Sequence, residues 1–404
     1  MSALAIGPEV GEAEARAALA GWARESVPAG WRERLRGADE EEFVGFQREW
    51  FERLREAGLL AAHWPVEWGG GGHSLARQAV IAEELARAGA PQLSVNSVAL
   101  YHAAGTLLGA GSEEQRARHL PAILAGEVWC QGFSEPGAGS DLASLQTRAR
   151  REGDRFVVNG QKIWSSYAQY ADFCLLLARS DPEAPKRRGI SFLILDLRSP
   201  GVEVRPIRQA TGEQEFCELF LDDVEIPVAN LVGAENDGWQ VAQGTLAAER
   251  GIQVLDQVER LCATRDRFAA ELAESLPRLR RRGQDGAARQ DLGAAIAETE
   301  ILRSLCARQL AAAEEGGGGG GEASIVKVMY SEALQRFDEA ATRWSGPAAQ
   351  LERPLARGAN WESGDWLVDY VASWAWTIGG GTSEVLRNVI AERLLGLPRE
   401  PRPR

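Results

Sequence analysis

The sequence predicts an α+β protein with an N-terminal helical domain, a central small β-barrel or sandwich domain and a C-terminal helical bundle. Three observations carry that prediction. Over residues 1–125, apolar residues recur at the three- and four-residue spacing of amphipathic helices. From Val128 the pattern changes to short β-branched and aromatic runs bounded by Gly, Pro and charged turns, ending near Gly233. From Trp239 long Ala/Leu/Arg/Glu segments return, and helices of this kind bury their apolar stripes by packing antiparallel. The domain boundaries expected are 1–125, 126–235 and 236–404.

Residues 1–40 are Ala/Glu/Arg-rich and read as a helix followed by a polar connector. Phe43, Phe46, Trp50 and Leu54 then lie on one helical face, and Gly58 ends that helix. His63 to Trp68 and the four glycines 69–72 read as a loop. Two further helices are expected over Leu75 to Ala88 and Leu93 to Leu108. Ser112 with Gln115 three residues on is a capping-box signature for the helix that follows. Strands are expected at 156–158, 173–178, 190–197, 202–207 and 216–221, and C-terminal helices over 239–280, 287–314, 322–343, 365–377 and 383–395. The six consecutive glycines 316–321 read as a flexible, solvent-exposed link.

The chain has 404 residues, 45% hydrophobic and 25% charged, as in an ordinary soluble globular protein. A net charge of −13 argues against a nucleic-acid surface, which would be basic. No run of 18 apolar residues predicts a membrane span, and the acidic start has no secretory-signal pattern. The five cysteines, 130, 174, 217, 262 and 306, are dispersed, which predicts reduced and mostly buried thiols in a cytoplasmic protein. The four histidines, 63, 73, 102 and 119, form no ligand motif, so no metal is expected.

The stretch from Trp129 to Ser166 concentrates the chemical signal. Pro136 stops a strand, and Gly137 and Gly139 permit angles bulkier residues resist in Phe133-Ser134-Glu135-Pro136-Gly137-Ala138-Gly139-Ser140-Asp141. Such a loop can turn N–H groups and the Ser134 and Ser140 hydroxyls toward an anion or a ring edge. Gly153-Asp154 and Asn159-Gly160 each predict a turn between strands, the second of type I′. Trp164 and Ser166 then end a returning strand able to face the Ser134 loop, which suits a flat aromatic ligand.

This composite resembles the acyl-CoA dehydrogenases, whose pattern is Ser/Thr-Glu-Pro-x-Ala-Gly-Ser-Asp followed by Asn-Gly-x-Lys-x-Trp-x-Ser/Thr. The resemblance runs from about Phe43 to Pro398. It implies that family's fold and FAD, with the flavin between the β domain and the C-terminal bundle. It also implies acyl-CoA substrates from lipid or fatty-acid β-oxidation, and an electron-transferring flavoprotein or similar acceptor. The expected FAD contacts are Gln131, Phe133, Ser134, Gly139, Ser140, Trp164 and Ser166, with Thr382, Glu384 and Arg387 from a second loop, Gly379-Gly380-Gly381-Thr382-Ser383-Glu384. Ser383 or Thr382 would cap the helix that follows. Substrate contacts are expected from Ser140, Arg250 and Gly380.

Dehydrogenation at Cα–Cβ needs a base, a hydride acceptor and stabilisation of the developing enolate. Side chains do not accept hydride, so a cofactor must. Many relatives place the catalytic Glu where this chain has Gly380; a subset, typified by the isovaleryl- and long-chain enzymes, places it on the first C-terminal helix before an Arg. Glu249-Arg250 matches that subset, so Glu249 is the expected base and Glu384 the lesser alternative. An apolar Ala/Leu setting would raise its pKa toward the working range. The resemblance thus implies that Glu249 takes the α-proton and flavin N5 the β-hydride, giving the trans-2-enoyl-CoA. Three glycines at 379–381, where relatives carry Tyr-Glu-Gly or similar, predict room for a branched or bulky acyl group.

Two departures bear on assembly. The family's Arg-x-x-Phe-Gly, which reaches FAD in the neighbouring subunit, has as its nearest counterpart Arg265-x-x-Phe268-Ala269, too early and without the glycine. The usual glycine-rich loop before the last helices is replaced by Trp344-Ser345-Gly346-Pro347. A homodimer, a homotetramer and a heteromer with a related subunit all remain open. So do two alternatives to the dehydrogenase reading: a flavin-dependent oxidase or monooxygenase on the same fold, and a catalytically silent subunit of a heteromeric acyl-CoA dehydrogenase.

Overall fold

The computed structural model describes residues 4, 6–7, 9–248, 254–314, 320–351 and 353–399. The helices are α1 (Glu12–Ser26), α2 (Trp31–Arg34), α3 (Glu40–Glu56), α4 (Leu75–Arg87), α5 (Ala104–Ala110) and α6 (Glu113–Leu124) before the sheet. After it come α7 (Gly238–Ala248), α8 (Val254–Arg281), α9 (Asp285–Glu314), α10 (Gly320–Ser345), α11 (Trp366–Ser373) and α12 (Ser383–Val389). The strands are β1 (Trp129–Gly132), β2 (Arg148–Glu152), β3 (Arg155–Ser166), β4 (Phe173–Arg179), β5 (Ile190–Asp196), β6 (Val202–Pro206), β7 (Phe216–Pro227) and β8 (Leu231–Val232). These elements gather into two compact units, each drawing on separated stretches of chain: 1–38, 73–92 and 250–404 in one, 39–72 and 93–249 in the other.

In the unit that holds the sheet, eight strands run in the order β6-β7-β3-β2-β4-β5-β8, with β1 pairing β4 in parallel. β4 and β5 are apolar at nearly every position, which marks strands covered on both faces. One face, Phe173, Leu175, Leu177, Phe192 and Ile194, joins Leu107, Leu120 and Ile123 of α5 and α6. The other, Cys174, Leu176, Leu193 and Leu195, meets Phe156, Val158, Leu219, Val224 and Ile226 from β3 and β7. Strands distant in the sheet order thus share one core, so the sheet curls onto itself, as the barrel-or-sandwich expectation requires. α7 lies on this unit, its Thr245 hydroxyl 2.6 Å from that of Thr106 in α5. The capping box at Ser112 is formed in both directions, Gln115 N donating to Ser112 Oγ and Ser112 N to the Gln115 side chain.

The turn at Gly153-Asp154 joins β2 to β3, with Gly153 at φ 62°. The turn expected at Asn159-Gly160 is not there: β3 continues through it, and a bulge shifts its register against β7 between Val158 and Gly160. The Asn159 side chain exchanges hydrogen bonds with Asp223 on β7, its Nδ2 donating at 2.9 Å and its Oδ1 accepting from the Asp223 N–H. Glycine is required at 160 for a packing reason, since a Cβ would lie 2.5 Å from Thr147 Oγ1 and 2.7 Å from Thr147 Cα. The same residue pair that signals a hairpin serves here as the bulge of one long strand.

The other unit packs α8, α9, α10 and α11 around Leu261, Phe268, Leu302, Leu334, Phe337, Trp361 and Trp366. Gly320 and Gly321, expected in a flexible link, instead form the first turn of α10. Leu93 to Leu108 is shorter as a helix than expected, opening with a π-helical turn at Val98–Ala103 before α5. All five cysteines are free and buried. Among the described residues, no helix is long and apolar enough to cross a membrane, and no group of three potential ligands could hold a metal ion.

Candidate active site

In the sheet-bearing unit the two halves of the motif are tied together by a buried ion pair. Lys162, wholly buried, donates from Nζ to Glu135 Oε1 at 2.8 Å and to the Phe133 carbonyl at 3.1 Å. Glu135 also accepts from the backbone N–H groups of Gln146 and Thr147, at 2.7 and 2.8 Å. Burial works against the charge on Glu135, but the Lys162 ammonium and these donors outweigh it and hold the carboxyl below the usual glutamate range. Glu135 and Ala138 bond reciprocally, N–H to carbonyl, at 3.0 Å in each direction, which pins the Pro136-Gly137 turn. The Ile163 N–H donates to the Ser134 carbonyl at 3.0 Å, bringing β3 against the loop. Sequence reasoning singled out neither Glu135 nor Lys162; the signal was their place inside the two motif halves.

Trp164 departs from the ladder immediately after that contact. A second register shift lies between Lys162 and Ser165, and Trp164 adopts φ 66°, a left-handed conformation that a bulky residue takes only under constraint. The departure puts its indole 55% exposed, edge-on to Phe216 at 5.9 Å. Ser166 is half-buried two residues on, opposite Phe216 in β7. Gln131 on β1 has its side-chain Nε2 buried and without a hydrogen-bond partner. Gly139 and Ser140 are exposed in the loop, and Asp141 next to them pairs with Lys186 at 2.7 Å. Neither Gly137 nor Gly139 is left-handed, and a Cβ on either would meet nothing within 4 Å. Their backbone angles, expected to need glycine, do not.

Phe133 is among the expected FAD contacts. Its ring is 6% exposed and packs edge-on against Phe192 at 5.7 Å in the core. The residue acts by anchoring the loop, with its carbonyl held by Lys162.

The second candidate loop lies in the other unit. Thr382 is the N-cap of α12, its Oγ1 accepting from the Val385 N–H at 3.2 Å, so of the two expected caps Thr382 is the one used. Gly380 and Gly381 have φ 66° and 99°, and Lys327, nearly buried, donates to the Gly381 carbonyl at 2.7 Å. Glu384 is exposed, and Arg387 pairs with Glu332 on α10 at 2.5 Å. Arg265 and Phe268 are spent inside this unit. Arg265 bonds Glu300 and Thr299, and Phe268 is buried against Phe337 and Trp366. Glu249 and Arg250 lie outside the described residues.

A half-exposed indole on a constrained backbone, an unmet amide donor on β1 and an open glycine loop suit a flat heteroaromatic ring with acceptor oxygens and a charged tail. That is the class of a flavin-binding oxidoreductase. Family models of the acyl-CoA dehydrogenases match most of the sequence in three parts: the N-terminal domain at residues 12–127, the middle domain at 130–224 and the C-terminal domain at 236–395. The chain is 38% identical over 394 residues to the acyl-CoA dehydrogenase IpdE1 of Mycobacterium tuberculosis, covering 96% of this chain and 98% of that one. Among solved structures it resembles the Tcur3481–Tcur3483 steroid ACAD, with a TM-score of 0.82, 33% identity and coverage of 96% and 98%. It also resembles the ChsE4–ChsE5 complex of M. tuberculosis, with a TM-score of 0.76, 31% identity and the same coverage. The chain belongs to the acyl-CoA dehydrogenase family and is an FAD-dependent oxidoreductase of that family.

Because Trp164 is exposed and supports no core, Trp164→Ala should leave stability within about 0.5 kcal/mol of wild type. It should nevertheless strip FAD, read as the ratio of flavin to protein absorbance after gel filtration. Full flavin retention would remove Trp164 from the site.

Proposed function

We propose that the chain α,β-dehydrogenates an acyl-CoA with a branched or polycyclic acyl group, using Glu249 as the base. The observation that carries this reading is Gly380. It occupies the position where many relatives hold their catalytic Glu, and its φ of 66° suits glycine rather than a side chain. The base is then sought elsewhere, and Glu249-Arg250 matches the alternative arrangement. Glu249 takes the α-proton of the thioester, and Arg250, Ser140 and Gly380 are proposed to contact the CoA ester. Bound FAD would supply the acceptor for the hydride that leaves Cβ.

The residues proposed to hold FAD are Gln131, Ser134, Gly139, Ser140, Trp164 and Ser166, with Phe133 anchoring their loop, and Thr382, Glu384 and Arg387 in the second. Gln131 Nε2 is the unmet donor for a ring oxygen. Glycine at 379–381 leaves those positions without side chains, which supports a large acyl group, as does the likeness to the Tcur3481–Tcur3483 steroid ACAD. The similar Tcur3481–Tcur3483 and ChsE4–ChsE5 proteins are each named as a pair, which supports assembly with a related subunit. An electron-transferring flavoprotein is the proposed acceptor.

The test is anaerobic mixing of the purified flavoprotein with linear, branched and polycyclic acyl-CoAs while flavin absorbance is followed. Bleaching is expected with the bulky thioesters. Glu249→Gln should slow it by about 10²–10⁴-fold, the usual contribution of a positioned base. Unchanged bleaching in the variant would remove Glu249 from the chemistry, and preference for butyryl-CoA would overturn the bulky-substrate reading.

A further inference from the structure

The chain carries 45 basic side chains, of which only three are lysines, at 162, 186 and 327. A lysine ε-amine that has lost its proton attacks acyl carbonyls, whereas a guanidinium keeps its charge and does not. Acylation of a basic side chain is therefore confined to three positions, and two of them are closed. Lys162 is wholly buried, its Nζ held by Glu135 and the Phe133 carbonyl. Lys327 is 5% exposed, its Nζ held by the Gly381 carbonyl. The Lys186 side chain is 66% exposed, in the loop between β4 and β5.

Lys186 also stands where a lost charge would be felt. Its Nζ donates to Asp141 Oδ2 and to Ser144 Oγ, each at 2.7 Å, so one ammonium bridges the two ends of the short turn that follows Ser140. Arg179, at the end of β4, grips the same segment by the Ala143 and Leu145 carbonyls, at 2.7 and 3.1 Å, and donates to the Lys186 carbonyl at 3.1 Å. The β4–β5 loop is thus a strap across the motif loop, and Lys186 is its exposed end.

We propose that Lys186 is a site of Nε-acylation by acyl thioesters, the substrate class of the family, and that acylation releases the strap from Asp141 and Ser144. The neutral amine attacks the thioester carbonyl. A C–N bond forms, the C–S bond breaks, and the departing thiolate takes up the proton that the nitrogen sheds, leaving an amide and free CoA. The amide carries no charge, so the ion pair with Asp141 is lost. The step depends neither on Glu249 nor on which acyl group is dehydrogenated. That excess thioester would thereby slow turnover rests on the proposed contacts of Gly139 and Ser140 with FAD and the CoA ester.

Incubating the flavoprotein with acetyl-CoA at pH 8, followed by chymotryptic peptide mass spectrometry, tests the site. Acetyl groups should collect on Lys186 about tenfold faster or more than on Lys162 and Lys327, whose exposure requires opening of the fold. The same treatment of the chain unfolded in urea should level the three rates. Hydrogen exchange reads the release. Lys186→Gln, neutral like the acylated side chain, should speed exchange of the Ser144 and Leu145 amides, which donate to the Asp141 and Leu142 carbonyls. The increase should be about two- to fivefold, the worth of an exposed ion pair. Lys186→Arg should keep the wild-type exchange rate and take no acetyl group at position 186. Neither measurement needs turnover, so failure of the dehydrogenase reading would leave both results standing. Equal labelling of Lys162 or Lys327 in the folded protein, or an unlabelled Lys186 that reacts once the chain is unfolded, would overturn the site. Equal exchange in the two variants would overturn the release.

Discussion

Lys162→Met should destabilise the protein by about 3–5 kcal/mol at pH 7, the usual cost of leaving one member of a buried ion pair alone. The carboxylate of Glu135 would keep its two backbone donors but lose the Lys162 ammonium. The effect should depend on pH in a definite direction. With Lys162 present, Glu135 ionises below its usual 4.5, so its stabilisation is present above that pH and fades as pH falls through the lowered value. In the variant the stranded carboxylate favours its protonated form, so the gap between variant and wild type should narrow toward pH 3. Denaturant titrations at pH 7 and pH 4 would show it. The pairing also bears on the proposed flavin site, because Lys162 holds the Phe133 carbonyl and Glu135 braces the turn at Gly137. Flavin content should therefore fall together with stability. A loss below about 1 kcal/mol at pH 7 would mean that the pair contributes no more than a surface bridge.

Asp338→Asn should do the reverse and stabilise the protein above neutral pH. Asp338 on α10 is fully buried, and neither carboxyl oxygen has a partner. Asp369 on α11, equally buried, accepts from Ser363 N at 2.7 Å, Ser363 Oγ at 2.5 Å and Arg267 at 3.3 Å. Burial raises both acids, Asp369 to about 7 against the pull of Arg267 and Ser363, and Asp338 well above the usual range with Asp369 adding to the rise. With no donor of its own, Asp338 is the one that keeps the proton. A folded pKa above the unfolded one means that the native state binds more protons, so stability falls as pH rises from about 4 toward the raised values. An amide has no proton to lose, so the variant should show a shallower decline. Below the raised value the gain should grow by about 1.4 kcal/mol per pH unit, the linkage slope for one proton. Equal pH slopes in variant and wild type would show that Asp338 ionises without penalty.

Much of the fold is legible because it rests on periodicity. The runs at 173–178 and 190–197 are continuous apolar stretches, which only strands covered on both faces require, and they appear as β4 and β5. The capping box at Ser112 and the long C-terminal helices follow from local rules that need no knowledge of neighbours. Asn159-Gly160 was misread because a two-residue signal is local while the bulge is not. Its meaning comes from Asp223 and Thr147, distant in sequence and supplied by β7 and the end of the loop before β2. Gly320 and Gly321 were misread for a related reason, since helix propensity is a weak prior that packing overrides.

The candidate site divides in the same way. The motif itself disclosed that its two halves belong together, and they meet where the Ile163 N–H donates to the Ser134 carbonyl. It did not disclose that Glu135 and Lys162 form the buried clamp between its halves, that Phe133 turns inward, or that Trp164 is thrown outward by a bulge. Those outcomes depend on which side of a strand faces the core, and a single register shift reverses that. Composition and period determined the class of fold, because burying apolar surface leaves few arrangements open to such a chain; the kind of ligand is implied by the resemblance that the 129–166 motif carries. Which side chains meet, which charges are paired and which donor is left unmet were decided only when separate strands closed on a common core.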